Sequence, residues 1–433
     1  MLGWKRQDNG TGRFSTISVD TPAIVLRQYM STMPYNPPAL AREVEALHGT
    51  LVGHLEITNT LEFDESLPLS TIFQGSDAEE SAKQRKRTVG LYSGRSLVMG
   101  PPGVSGDRLQ LSSAQGRKAV SIDHYIKRVV REDPLFVVSP ADEVDMAAGK
   151  NRKTRSLERT MLFANQMAKK EYRDILKGKF LFKVVVPSSK PGALEMQLLL
   201  ANSDEADVYQ GVCAGGVNLQ ESDADFMNYL EQLRTTTRAQ GTAMLVQGSN
   251  TLSRLLLSLE AGADLVGSDL PARLMHEGQA LVFGEILQIT DHLQETWLRE
   301  ANDDAPPLKL HKGPSGRVSA TTYSTTTGQR AVVNLWDEEF LRDRSSLVAG
   351  CQCHACKYHT KAYIHHLLKS KEILADVLLY LHNQHQVLLL FQCARHYLSI
   401  SKETFLMWLG KLREHNLEGE PKPKLAKEGN TTL

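Results

Sequence analysis

The stretch TAMLVQGSNTLSRLLLSLEAGADLVG, residues 242–267, holds a complete strand–helix–strand unit. Its ends, TAMLVQ (242–247) and ADLVG (263–267), are short apolar runs. Between them, residues 251–261 place leucines at helical spacing. Asn250 or Thr251 offers an N-cap, and Gly262 ends the helix. Two strands joined by a crossover helix run parallel, because a tight turn delivers only antiparallel neighbours. Working outward, the same rhythm recurs. Further strand candidates are TPAIVLR (21–27), GRSLVMG (94–100), PLFVVS (134–139), KFLFKVVVP (179–187) and YQGVCAG (209–215). Helical patterns lie near 121–132, 155–172 and 223–237. The strands read as nearly continuous apolar runs, as expected of parallel strands covered on both faces. Repetition over about 300 residues predicts an α/β fold, an irregular (β/α)8 TIM barrel, with a doubly wound open sheet as the alternative.

The rhythm breaks in three places. Segment 60–90 is polar, carries DAEESAKQRKR, and reads as an exposed insertion or flexible loop. Segment 300–330 is turn-rich, with room for a small β-hairpin. Residues 415–433 have the composition of a disordered tail. The chain therefore divides into a barrel over 1–335, a cysteine-bearing helical subdomain over 336–414, and the tail. Fifty basic residues balance fifty acidic ones, so bulk charge points to no polyanionic partner. The N-terminus lacks an apolar core of signal-peptide length, and the most apolar run, Val387 to Cys393, is too short to span a bilayer. The expectation is a soluble intracellular protein. The five cysteines agree: Cys213, Cys351, Cys353, Cys356 and Cys393 form an odd, clustered set, which suits a metal better than disulfides.

The cluster reads CQCHACKYH from Cys351. Thiolate is a soft ligand, and structural zinc takes four nitrogen or sulfur ligands in a tetrahedron. Three sulfurs within six residues fit one turn of chain around one ion, and such short loops are cheap to close. Inert buried thiols are the alternative, which the polar neighbours Gln352, His354 and Lys357 oppose. For the fourth ligand the chain offers His354, His359, His365, His366, His382 and His385. Two antiparallel helices, from near His359 and from near Lys371, would bring the distal part of the second back to the cysteine loop. On these grounds His382 and His385 stand level, with His359 behind. Four protein ligands leave no open position, so the ion is structural.

The run CQCHACKYHTKAYIHHLLKSKEILADVLLYLHNQH (351–385) resembles the zinc subdomain of the tRNA-guanine transglycosylases. That family carries C-x-C-x2-C, a helical A-Y-[IL]-H-H-L-[FL]-K stretch, E-I-L, and then H-N. Here these are Cys351, Cys353 and Cys356, then Ala362 to Lys369, Glu372 to Leu374, and His382–Asn383. The resemblance implies one structural Zn(2+) on Cys351, Cys353, Cys356 and His382. Upstream, NLWDEEFLRDRSSLVAGCQC (334–353) is similar to the family's approach strand. TPAIVL (21–26), SLERTMLFANQ (156–166) and GADLVGSDLPARLMHEGQALVF (262–283) resemble further family segments in order. The implied fold is an irregular (β/α)8 barrel with a zinc-binding helical subdomain near its C-terminus.

The family exchanges a base at the glycosidic bond of a tRNA guanosine. An aspartate attacks ribose C1′ while a second carboxylate handles protons. Aligned on GADLVGSDLP, this chain has Gly267 where that aspartate belongs; Asp269, two residues on, is a displaced nucleophile or a solvated loop residue. GLYSGRSLVMGPPG (90–103) lies where D-S-G-G-[FY]-Q is expected and holds no acid. VVVPSSKPG (184–192) replaces the base-reading Q-G-G. SPADEVD (139–145) keeps Asp142–Glu143 in altered surroundings, and AGGVNL (214–219) lines a vestigial pocket or makes a tight turn. No catalytic residue is assigned.

This combination resembles the catalytically silent subunit of the family's eukaryotic enzyme. The resemblance implies a heterodimer with a catalytic queuine tRNA-ribosyltransferase subunit, formed through the zinc-subdomain region. It also implies contact with tRNA through that complex, and exchange of guanine for queuine at the wobble position of GUN anticodons. The cytoplasm, including the cytoplasmic face of the mitochondrial outer membrane, is the implied location. An active homodimer using Asp269 is the competing reading. A zinc-dependent DNA-binding module is a third, opposed by the C-x-C-x2-C spacing. Two basic stretches, KQRKR (83–87) and KNRKTRSLER (150–159), are solvated faces or contacts for tRNA phosphates.

Overall fold

The computed structural model describes residues 4–7, 10–14, 19–28, 38–56, 88–96, 102–113, 116–144, 148–188, 192–199, 208–217, 222–238, 241–283 and 331–416. In chain order, β1 (Trp4–Arg6), β2 (Gly12–Phe14) and β3 (Val19–Thr21) precede β4 (Ala23–Gln28), α1 (Pro38–His48), β5 (Leu51–Glu56) and β6 (Thr88–Ser93). Then come β7 (Gly103–Ser105), β8 (Arg108–Ser113), β9 (Gly116–Val120), α2 (Ile122–Glu132), β10 (Phe136–Val138), α3 (Lys150–Met167), α4 (Lys170–Ile175) and β11 (Phe180–Val185). After these follow α5 (Ala193–Leu199), β12 (Gly211–Ala214), α6 (Asp223–Arg238), β13 (Ala243–Gln247), α7 (Leu252–Glu260), β14 (Leu265–Ser268), α8 (Leu270–His276) and β15 (Gln279–Leu281). The chain continues through β16 (Val332–Asn334), a 3-10 turn (Glu338–Arg342), α9 (His354–Tyr358), α10 (Lys361–Lys369), α11 (Ile373–Ile400) and α12 (Lys402–Asn416).

Eight parallel strands close into a barrel in the order β4, β5, β6, β10, β11, β12, β13, β14, with β14 returning to β4. The open-sheet alternative is thereby excluded. Residues 242–267 form the unit β13–α7–β14, and Thr251 caps α7 by accepting from the Arg254 amide. Alternate strand residues face the interior. Val25, Val52, Leu91, Phe136, Phe182, Leu245 and Leu265 join one buried cluster there. Phe14 of the antiparallel β1–β2–β3 sheet belongs to that cluster, with ring centroids 4.9 Å from Phe136 and 5.1 Å from Phe180. Outward residues such as Ile24, Val212, Met244 and Val266 pack in a second cluster with leucines of α7 and α11. That cluster runs from the barrel into the cysteine-bearing helices without a break.

Several sequence expectations need correction. The strand expected at 94–100 lies earlier, at Thr88–Ser93, and begins inside the segment read as an insertion. LVGHLE (51–56) is a barrel strand that the apolar pattern does not reveal. The helix expected over 155–172 starts at Lys150 and is two helices, parted near Lys169. Of the approach segment 334–353 only Asn334 is strand, the last residue of Val332–Asn334; a 3-10 turn follows. Residues 60–87, the turn-rich segment 300–330 and tail residues 417–433 lie outside the described residues, as does KQRKR (83–87).

Candidate metal centre and barrel mouth

Cys353 caps α9, its sulfur accepting from the Cys356 amide at 3.4 Å. The turn this builds presents Cys351, Cys353 and Cys356 to one point. Helix α10 then leads away, and Lys371, at φ 57°, reverses the chain into α11. The 28-residue α11 is buried on nearly all sides along its middle, from Leu378 to Leu388. A helix apolar or buried all round belongs to the interior. Its second and third turns return His382 to the cysteines. Nδ1 of His382 lies 4.0, 3.4 and 3.3 Å from the sulfurs of Cys351, Cys353 and Cys356. All four donor atoms lie within 4.8 Å of one another. Metal–sulfur and metal–nitrogen bonds of ~2.3 and ~2.05 Å at tetrahedral angles put sulfur and nitrogen ~3.6 Å apart. The donor set therefore fits a four-coordinate ion.

The surrounding bonds prepare His382 for that role. Its Nε2 donates to the Leu281 carbonyl at 2.8 Å, which leaves the Nδ1 lone pair free to face the sulfurs. Gln386 donates to the Cys351 sulfur at 3.4 Å. Hydrogen bonds from the Cys351 and Cys353 thiols pull the Cys356 thiol well below its ordinary range. The same sulfur contacts push the Cys353 thiol up, a crowding that a cation bound in place of the shared protons would relieve.

Four of the other candidate histidines are engaged elsewhere, and His366 is exposed on α10. His385 Nδ1 meets His48 Nε2 of α1 at 2.8 Å, and burial pushes its pKa down to about 3. His365 Nδ1 donates to the Leu335 carbonyl at 2.7 Å. His359 stacks on Tyr363 at 5.2 Å, and His354 lies 3.3 Å from Glu43. The choice between His382 and His385, which spacing leaves open, is one of register on α11.

The second site is the C-terminal end of the barrel, where catalytic groups of such folds stand. By strand period, Arg27, His54, Glu56, Ser93, Gln247 and Gly267 continue the inward rows of the barrel. Gly267 supplies only backbone: its carbonyl accepts from the amides of Gly248 and Ser249. Asp269 is the residue before α8, and its amide donates to Asn250 at 2.9 Å. It is 7% exposed, which corrects the expectation of a solvated loop aspartate.

Burial pushes the Asp269 carboxyl up to about 6, against the pull of Arg27 and with the push of Glu56. An acid whose folded pKa is raised weakens the fold as it ionises. Below about pH 4 it is protonated in folded and unfolded chains alike; between about 4 and 6 only the folded chain keeps the proton. The Asp269→Asn variant is therefore expected to gain roughly 3 kcal/mol over the parent above pH 6, and nothing below pH 4. Urea denaturation at both pH values measures this. Equal stability at pH 7.5 would contradict the buried, ionised aspartate.

The remaining carboxylates at this face are already taken. Glu143 pairs with Arg95, both side chains 4% exposed, and also accepts from the Gly216 amide. Gly216 has φ 73°, so AGGVNL does make a tight turn through Gly216, while Asn218 and Leu219 lie outside the described residues. Asp142, fully buried, accepts a bidentate pair of bonds from Arg152 at 2.8 and 2.6 Å and a third from Arg159 at 3.2 Å. Its amide and carbonyl bond Thr160 and Ser156, so four positions of α3 are fastened to one strand-end residue. Sequence patterning gives no sign of these ion pairs, because their partners lie on separate elements.

A family model described as Queuine tRNA-ribosyltransferase matches residues 94–416, well over half of the chain. The chain belongs to the queuine tRNA-ribosyltransferase family. Among similar members of this family, an Anopheles gambiae protein named queuine tRNA-ribosyltransferase accessory subunit 2 is 24% identical over 399 residues. The alignment covers 90% of this chain and 83% of that protein. The Danio rerio protein of the same name is 26% identical over 295 residues, 67% of each chain. The Homo sapiens protein of that name is 24% identical over 284 residues, 65% of this chain and 66% of that one. The queuine tRNA-ribosyltransferase family assignment agrees with the barrel and with the Cys3His group.

Proposed function

We infer that this chain is the non-catalytic subunit of a queuine tRNA-ribosyltransferase, working beside a catalytic paralogue that exchanges guanine for queuine in tRNA. The observation that carries the reading is the state of the barrel mouth. Gly267 stands where the resemblance places the nucleophile, and Asp142 and Glu143 are bound by arginines. A carboxylate locked in an ion pair is a poor acceptor for a substrate base, and glycine has no nucleophile. The names of the relatives favour the subunit over an active homodimer using Asp269.

In this reading the Cys3His group holds one Zn(2+) with no vacant position, so the ion shapes and does not react. It fixes the loop before α10 against α11, and the surface around it meets the catalytic subunit. Exposed Tyr358, Tyr363, Ile373 and Leu374 on α9–α11 supply apolar area for that contact. A cytoplasmic location, partly on the mitochondrial outer membrane, accompanies the reading.

Co-purification with the catalytic paralogue, followed by labelled-guanine or queuine exchange into tRNA by each component, tests this. The expected result is no turnover by the chain alone, turnover by the pair, and continued silence of the isolated Gly267→Asp variant. Robust turnover by the isolated chain or by that variant would overturn the proposal.

A further inference from the structure

A non-catalytic role leaves the N-terminal end of α3 unexplained. Between Gly149 and Thr160, five cations, Lys150, Arg152, Lys153, Arg155 and Arg159, accompany one acid, Glu158. The whole chain is neutral, so this is a local concentration of charge. Helical geometry divides it. Arg152, Ser156, Arg159 and Thr160 form the stripe that holds Asp142. Lys150, Asn151 and Arg155 lie on the outward side, all exposed, and line an open depression with Gly149 and Arg152. Among the described residues, Lys150, Lys153 and Arg155 have no carboxylate within ion-pair distance. The buried Asp142 carboxylate therefore immobilises the inner arginines and leaves the outer cations facing solvent. One negative charge against two arginines does not cancel the field.

The place matters as much as the charge. Helix α3 follows β10, so its first turn rises from the C-terminal face of the barrel, the face that carries Gly267. The Gly149 cap supplies no side-chain acceptor, and the first turn holds no acid. We propose that Lys150 and Arg155, flanked by Lys153, form a docking surface for the phosphate backbone of RNA laid across this face. The inference rests on the subunit reading for its choice of RNA. Such contacts fix orientation and read no sequence, which suits a chain that positions a nucleic acid for chemistry performed elsewhere.

The test is binding of an unmodified tRNA transcript across a salt series, with the full-length chain alone and with its catalytic paralogue. Lys150→Ala/Arg155→Ala is expected to weaken binding on the order of ten-fold and to make the salt dependence shallower by about two, one for each phosphate that the parent side chains neutralise. Lys150→Arg/Arg155→Lys is expected to keep both. Co-elution with the paralogue is scored separately. Failure to co-elute counts against the subunit reading, whereas binding by the isolated chain still decides the docking surface. Unchanged affinity and slope in the alanine variant overturn the proposal. Binding to phosphatidylserine-containing vesicles is measured alongside, and a loss in the alanine variant confined to those vesicles also overturns the proposal and makes the surface a membrane contact.

Discussion

Cys353→Ser is expected to abolish metal binding by the Cys3His group and to loosen the helices that frame it. Cys353 is 4% exposed, sits 3.4 Å from His382 Nδ1, and caps α9. Serine keeps the cap but offers a hard, protonated oxygen in place of a soft thiolate, so the site falls to three ligands. Metal binding free energy in such sites is folding free energy. Loss of several kcal/mol from α9–α11 should follow, together with failure of the subunit to pair. Gln386→Leu provides a graded control. It removes only a bond to the Cys351 sulfur, so affinity for zinc should fall roughly 10- to 100-fold without abolishing stoichiometric loading. Elemental analysis and urea denaturation measure both variants. A Cys353→Ser protein with full zinc occupancy and parental stability would falsify the structural-metal reading.

Arg95→Ala should destabilise the barrel by about 3–5 kcal/mol, the range for removing one partner of a buried ion pair. The reason is the partner left behind. Glu143 is as deeply buried as Arg95, and without the guanidinium it keeps the Gly216 amide as a donor but has no counter-charge from Arg95. Desolvation of that carboxylate is then unopposed. Replacing both partners, Arg95→Met with Glu143→Gln, should recover most of the loss, because neutral groups of similar size need no counter-charge. Denaturant midpoints of the two variants decide the matter. An Arg95→Ala protein within about 1 kcal/mol of the parent would show that the pair carries no such coupling.

The strands that the sequence reveals are those whose inward residues are apolar. β13 and β14 show this in TAMLVQ and ADLVG. β5 hides because its inward row turns polar, Val52 giving way to His54 and Glu56 at the mouth. β6 hides for a related reason: Gly90 and Ser93 interrupt its apolar pattern, and KQRKR precedes it. The polar layer that faces a substrate in such barrels is what obscures their strands. The cysteines are legible because three ligands lie within six residues. His382 and His385 are one turn apart, and only the register of α11 separates the one facing sulfur from the one facing His48. The arginine pairs at the mouth lie beyond sequence patterning, since Arg95 and Glu143 are 48 positions apart and meet only through the barrel.

One short strand joins the barrel to the Cys3His group. The Leu281 carbonyl receives His382 Nε2, and its amide donates to Asn383 at 2.8 Å, while Asn383 also reaches the Gln279 carbonyl at 2.9 Å. Two consecutive residues of α11 thus hold both polar groups of one β15 residue. Loosening the sulfur cluster is expected to expose that amide to solvent, so deuterium uptake at Leu281 should report on ion binding from outside the coordination shell. These bonds tie the strand to α11, so the helical subdomain and the strand are expected to open together, as one cooperative unit.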